Sequence, residues 1–408
     1  MQFCSRTSFL ALVFGTLLSG SPTGLADGQV VISEFLASNH SDITDEDGVW
    51  RDWIEVHNTG PAINLQGWYL TDDPDELTMW EFPDTPLAAD GRLVVFASDM
   101  NRTTPGSPLH TNFRISANGG GYLAIVEPNG VTVSHAYVGY PTQYSDITYG
   151  ISGASTGFLA TPTPAQPNAG LRPLPPSLAP TSKFFAGTCS IVMTKPEGIG
   201  TLRYTTNGTT PTLTNGYTYT APVSLMNTTT IKAAIYDAGV RSPVITERYV
   251  RLANDVQNFN SDLPLVVVHS LNTEIPEDPQ VLCVATVIGT TNGRATITDP
   301  PNFIGTAGIK LRGSSSLSFP KKQYAFEIWD HNGDDESAPL LDLPKEEDWV
   351  LYGPYTDKTL MRDCISYQWS NEIGRYAPRT RYVEMFLHTV SGAVNSTDYV
   401  GTYAIVEK

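Results

Sequence analysis

The 408-residue chain reads as a mainly β protein, with two Ig-like β-sandwiches followed by a mixed α+β segment. Three observations predict this. Apolar and β-branched residues alternate at period two in short runs such as QVVISEFLAS, DWIEVHN and GRLVVFAS, the pattern of half-buried strands. Turn residues separate those runs, and the chain holds 34 Gly and 30 Pro. Long amphipathic helical patterns are nearly absent.

The N-terminus has the layout of an export signal over residues 1–26. Arg6 supplies the positive start, Phe9–Leu18 the apolar stretch, and Gly24-Leu25-Ala26 a small-residue cleavage site. The apolar stretch is shorter than the roughly 20 residues needed to span a bilayer, and no later segment is apolar enough to do so. The expectation is a secreted, extracellular protein with no membrane span.

Cysteines do not organise the fold. Cys189, Cys283 and Cys364 are far apart, form no Cys-x-x-Cys motif, and are expected as small buried hydrophobes. The formal charge of −17 is concentrated at the front. No lysine precedes Lys183, and residues 29–170 carry seventeen acidic residues against four arginines. Such a surface excludes nucleic acid as a partner, because phosphates require basic surface.

Residues 29–165 form the first module, with turn signals at Asn58-Thr-Gly60, Asp90-Gly91 and Asn129-Gly130. Ile32-Ser-Glu34, Asp45-Glu-Asp47-Gly48, Asp52-Trp53-Ile54-Glu55-Val56, Leu65-Gln-Gly67-Trp68 and Leu109-His-Thr-Asn-Phe113 occur there in order. This series resembles the lamin-tail domain of bacterial surface proteins, which implies an Ig-like sandwich used for display or binding. Asp45, Asp47 and Asp52, with Glu46, make its one ligand-rich cluster. Calcium is the cation such oxygens would take, although the spacing is not that of an EF-hand. A solvated acidic loop is the alternative.

Residues 166–181 are proline-rich and read as a semi-extended linker. Residues 182–252 form a smaller β unit. Its Tyr204-Thr-Thr-Asn-Gly208, Tyr219-Thr-Ala-Pro222-Val223 and Thr228-Thr-Thr-Ile231-Lys232-Ala233 resemble the chitobiase C-terminal, fibronectin-III-like domain. That resemblance implies a spacer module, and no acidic pair in it suggests glycosidase chemistry.

Residues 263–408 carry the residues that could do chemistry. Leu263-Pro-Leu-Val-Val-Val-His269 reads as a buried strand, followed by Gly308-Ile-Lys-Leu-Arg-Gly313-Ser-Ser-Ser316 and Phe319-Pro-Lys-Lys-Gln-Tyr-Ala-Phe-Glu-Ile328. Asp348-Trp349-Val350-Leu351 and Tyr399-Val-Gly-Thr-Tyr403-Ala-Ile-Val-Glu407 come later. Asp357 can cap a helix in which Met361, Ile365, Trp369 and Ile373 recur every four residues and Gly374 ends the run. The ordered series resembles the N-terminal part of the CotH kinase family. It implies an incomplete α+β kinase-like small lobe, ATP and magnesium as cofactors, and Ser/Thr residues of a secreted or surface protein as acceptors. A cell-surface polymer is a further partner class.

Phosphate binding calls for cations and backbone donors. Gly308–Ser316 supplies a strand and a Gly/Ser turn, with Ser314 and Ser315 at the tip. In the next strand Lys322, Tyr324, Phe326 and Ile328 share one face, the core side, and Lys321 shares the more polar face with Gln323, Ala325 and Glu327. Lys321 is then the phosphate-pairing residue, Arg312 its auxiliary across the hairpin and Lys322 a substitute. Solvated basic residues at a strand start are the alternative. Arg362 and Asp363 are the charged candidates of the helix, Asp363 standing where the family usually has Asn. Glu407 falls where a hinge to a second lobe would begin. By the resemblance the catalytic base and magnesium aspartates belong to sequence beyond residue 408, so this chain reads as a fragment with none assigned. A non-catalytic adhesion protein or pseudokinase is the competing reading.

Overall fold

The computed structural model describes residues 25–26 and 29–408. The targeting segment expected over residues 1–26 otherwise lies outside the described residues. The fold is mainly β, with 43% of residues in strands and 5% in helices.

In the first unit two sheets share one core. One sheet orders Leu25–Ala26, Val133–Tyr140, Gly121–Val126, Tyr69–Thr71 and Trp80–Glu81. The other orders Ser155–Phe158, Tyr149–Ser152, Val30–Leu36, Trp53–Asn58, Arg92–Phe96 and Leu109–His110. Ile32, Phe35, Ile54 and Val56 from one meet Leu70, Leu123, Ile125 and Tyr137 from the other. The Tyr137 hydroxyl donates to the Ile32 carbonyl at 2.9 Å, so the buried phenol keeps a polar partner while tying the sheets together.

The proline-rich stretch is not a free spacer. Asn168 donates to the Ser33 and Ile151 carbonyls, both at 2.8 Å, and Arg172 caps the Leu159 and Ala160 carbonyls. Ser177–Ala179 then pairs with Cys189–Thr194 of the second unit. Proline prevents helix here but leaves flanking polar groups free to anchor the chain. The second unit packs a three-stranded sheet against a larger one around Ile191, Leu202, Ile231, Ala233 and Tyr249.

The third unit is a closed seven-stranded barrel. Its strands are β1 (Leu265–His269), β2 (Val281–Ile288), β3 (Phe303–Arg312), β4 (Gln323–Trp329), β5 (Asp348–Tyr352), β6 (Thr380–His388) and β7 (Tyr399–Glu407). The order around the barrel is β1-β2-β3-β4-β5-β7-β6, and parallel pairing of β1 with β6 closes it. Tyr324, Phe326, Ile328, Trp349, Leu351, Val383, Met385 and Ile405 fill the inside. Closure removes exposed sheet edges. Gly308 in β3 makes room for the Trp329 ring, since a Cβ there would lie 2.2 Å from it.

What stands in place of the expected α+β lobe is therefore a barrel with a single α-helix among the described residues, α1 (Arg362–Glu372), laid on its outer face. Asp357 holds the start of that helix, accepting from the Arg362 N–H at 2.9 Å and the Thr359 N–H at 3.0 Å. These bonds, the Arg362 one foremost, pull its carboxyl down to about 2. The predicted apolar stripe does not seat the helix. Met361, Trp369 and Ile373 are 49%, 65% and 74% exposed, whereas Cys364 is buried and packs with Tyr367 against Val350, Ala404 and Val406. The barrel wall presents small residues at this point, and a small thiol can approach them where an indole cannot.

Candidate functional site

Between α1 and the outer wall formed by β3, β4, β5 and β7 runs a groove of about 260 Å³. Alternation in the strands builds it. The residues of β4 and β5 that point away from the core, Gln323 and Val350, face outward beside Arg312 at the end of β3 and Val406 of β7. Tyr367 and Cys364 form the helical side, and Pro378 and Tyr352 complete the apolar lining. Arg312, Asp363, Glu407 and Lys408 supply the charges.

Most of these charges are already paired. Glu407 is buried, and its carboxylate accepts from the Arg379 N–H at 2.7 Å and Nε at 2.9 Å, with Nη2 2.7 Å from Oε1. Asp363 accepts a short hydrogen bond from the Tyr352 hydroxyl. Burial and then that carboxylate push the Tyr352 phenol well above its ordinary range. Lys408 pairs with Asp348 at 2.8 Å. Among the described residues Arg312 has no ion-pair or hydrogen-bond partner for its guanidinium, and it is exposed.

The structure thus brings together Arg312, Asp363 and Glu407 of the residues singled out in the sequence. Ser314 and Ser315 lie on the exposed turn after Arg312 but do not line the groove. Lys321 points elsewhere. Its Nζ donates to the Thr402 carbonyl and sits 4.6 Å from the Tyr403 ring centre, with burial lowering its pKa. Lys322 donates to the Leu317 carbonyl. The β4 pleat begins only at Gln323, so the alternation that would align Lys321 with Arg312 does not reach it. Arg379, Tyr352 and Tyr367 went unnoticed in the sequence. A carboxylate within an apolar strand signals that a cation is needed, but not which one.

The three acidic residues of the first unit are not brought to one point. Asp45 accepts from the Asp47 and Val49 N–H groups at 3.0 and 2.9 Å and lies 3.4 Å from Arg51. Asp47 pairs with Arg102 at 2.5 Å. Asp52 faces a different cavity, between the first unit and the barrel hairpin at Asp330–Asp335. Among the described residues no three His, Cys, Asp or Glu side chains converge as a metal site. None of their helices is long and apolar enough to cross a membrane. Cys189, Cys283 and Cys364 are buried and free, as expected.

Comparison with known proteins places two of these elements. The family model described as CotH kinase protein matches residues 309–408, which hold β4, β5, α1, β6, β7 and every lining residue of the groove. The model described as Fn3 associated matches residues 191–249 of the second unit. A search of curated proteins finds no match to the chain. A CotH kinase family domain is therefore present in the last quarter of the chain, with an Fn3-associated segment before it.

Proposed function

We propose that the barrel and its helix form the nucleotide-binding part of a CotH-type protein kinase, with ATP in the groove beneath α1. One observation carries this reading: a single concavity combines apolar walls from Val350, Val406 and Tyr367 with an unpartnered guanidinium at Arg312. Nucleotide sites are mostly apolar with a few placed polar groups, which is the composition found here. When bound, ATP supplies the phosphoryl group transferred to Ser or Thr of a protein acceptor. Arg312 meets its phosphates, and the apolar walls exclude water from its base. Glu407, locked by Arg379, fixes the end of β7 and does not contact the ligand. The residues present do not fit a resident magnesium ion, because Asp363 and Glu407 are held by Tyr352 and Arg379. No step is assigned to it.

In the same reading the first unit is a lamin-tail module and the second a chitobiase-C-terminal-like spacer. Both would be exported behind an N-terminal signal, to present the kinase part to a surface protein or polymer. The test is a titration of the intact chain with Mg-ATP, comparing the parent with Arg312→Ala and Lys321→Ala. Loss of affinity in Arg312→Ala alone is the expected result, with ATP slowing alkylation of Cys364. Unchanged affinity in Arg312→Ala removes the groove as the nucleotide site. A second reading, a non-catalytic display protein, draws support from Lys321, whose ammonium is already engaged by Thr402 and Tyr403.

A further inference from the structure

The three units meet around a second concavity, of about 440 Å³, that the kinase reading does not use. The first unit contributes Tyr144 and Ser145, the second Lys232, Arg241 and Glu247, and the barrel hairpin His331. In the second unit Ile231, Ala233 and Ile235 face the core, so strand alternation turns Lys232 outward into this space. Arg241 comes from the short strand paired at Tyr236.

The charges here are unusual for a chain of net charge −17. Among the described residues neither Lys232 nor Arg241 has a side-chain ion pair or hydrogen bond. The one lining carboxylate, Glu247, is already satisfied, accepting from the Ser182 N–H at 2.6 Å and from the Ser182 hydroxyl. Burial, and then the charge of neighbouring Arg248, hold the Lys232 ammonium below its ordinary range. Arg172 is likewise lowered, by burial and then by Arg241. His331 adds polarity at the rim, its Nε2 donating to the Gln143 carbonyl at 2.6 Å. Partly desolvated cations whose one lining carboxylate is already engaged by Ser182 are costly, and an anion bound beside them relieves that cost.

We propose that this three-way junction binds the phosphate group of a small hydroxylated ligand, of the sugar-phosphate class, between Lys232 and Arg241. The phosphate takes charge-assisted hydrogen bonds from the ammonium and the guanidinium. The hydroxyls of Thr142, Ser145, Thr210 and Thr246 are the partners for the ligand's own hydroxyls. Because each unit lines the site, occupancy also clamps the three together.

The experiment is calorimetric titration of the full chain with inorganic phosphate, glucose 6-phosphate and glucose, at low and at physiological salt. Glucose 6-phosphate is expected to bind more tightly than phosphate, and glucose not at all, with affinity falling as salt rises. Lys232→Gln and Arg241→Gln should each weaken binding by roughly tenfold or more, while melting no lower than the parent does without ligand. Arg312→Ala is the control and should leave it unchanged, which keeps this site separate from the nucleotide groove. No binding of either phosphate compound overturns the proposal. So does binding lost in Arg312→Ala but retained in both Gln variants.

Discussion

Asp52 sits in the cavity between the first unit and the barrel hairpin, and replacing it with Asn isolates the cost of one buried charge. Burial dominates its environment, and the negative charge of Asp334 adds to it. The Asn39 N–H, at 3.1 Å, and the charges of His40 and Arg114 oppose it. Asp330 and Asp335 line the same cavity. The net result pushes the Asp52 carboxyl up to about 7, from an ordinary 3.8. In the unfolded chain this group ionises near pH 4, whereas in the folded chain it holds its proton until about pH 7. The folded state therefore binds more protons across that window, and stability falls as pH rises through it. At 1.36 kcal/mol per unit, a shift of about three units sets a ceiling of about 4 kcal/mol above pH 7. Asn keeps the acceptor for the Asn39 N–H but never ionises. Urea denaturation of parent and Asp52→Asn at pH 4 and pH 8 should give equal stabilities at pH 4 and a more stable variant at pH 8. The pH-dependent difference cancels every other titrating group. A variant equally or less stable at both values would refute a buried, destabilised carboxylate.

Two further outcomes follow from the same kind of accounting. His269 is the mirror case, a buried base whose pKa burial, and then the neighbouring His388, lower to about 4. Its stability contribution is present above its ordinary value of 6.5 and is lost as pH falls towards 4, up to roughly 3 kcal/mol. His269→Gln should flatten the acid limb of the stability–pH curve, and an unchanged limb would exclude His269 as its source. Trp349 is fully buried in the barrel and donates from Nε1 to the Glu346 carbonyl at 3.1 Å. Trp349→Ala should cost about 3–5 kcal/mol in the barrel's unfolding transition, and a loss under about 1 kcal/mol would contradict its place in the core.

Strands with alternating or wholly apolar character were legible in the sequence, and those whose role depends on distant pairing were not. Leu263–His269, Gly308–Arg312 and Tyr399–Glu407 announced β1, the end of β3 and β7, whereas Asp348–Leu351 was read only as a motif and proves to be β5. In β4 the expected core face, Tyr324, Phe326 and Ile328, is the one that faces inward. Nothing local marks closure of the barrel, because it rests on parallel pairing of β1 with β6, more than a hundred residues apart. Seen without its neighbours, a strand in a barrel is indistinguishable from one in an open sheet. The helix shows a different limit. A four-residue apolar repeat gives the face a helix could bury, but the surface it meets selects the face it does bury. Here small residues at Val350, Ala404 and Val406 take Cys364 and Tyr367 instead.

The same distinction between charge and free charge separates candidate residues from working ones. Sequence lists ionisable groups, and a site needs those that folding leaves uncommitted. Glu407 looked like the start of a hinge to a second lobe, yet Arg379 takes its carboxylate through three contacts, which makes it a brace for β7. Lys321 looked like the main phosphate partner, yet a carbonyl and an aromatic face already occupy it. Arg312, ranked as auxiliary, is the cation left without a partner in the groove, and Lys232 and Arg241 hold that position in the junction. An anion arriving at a paired cation must first break the existing pair. At an unpaired one it displaces only water, so the unpaired residues are where binding free energy can be gained.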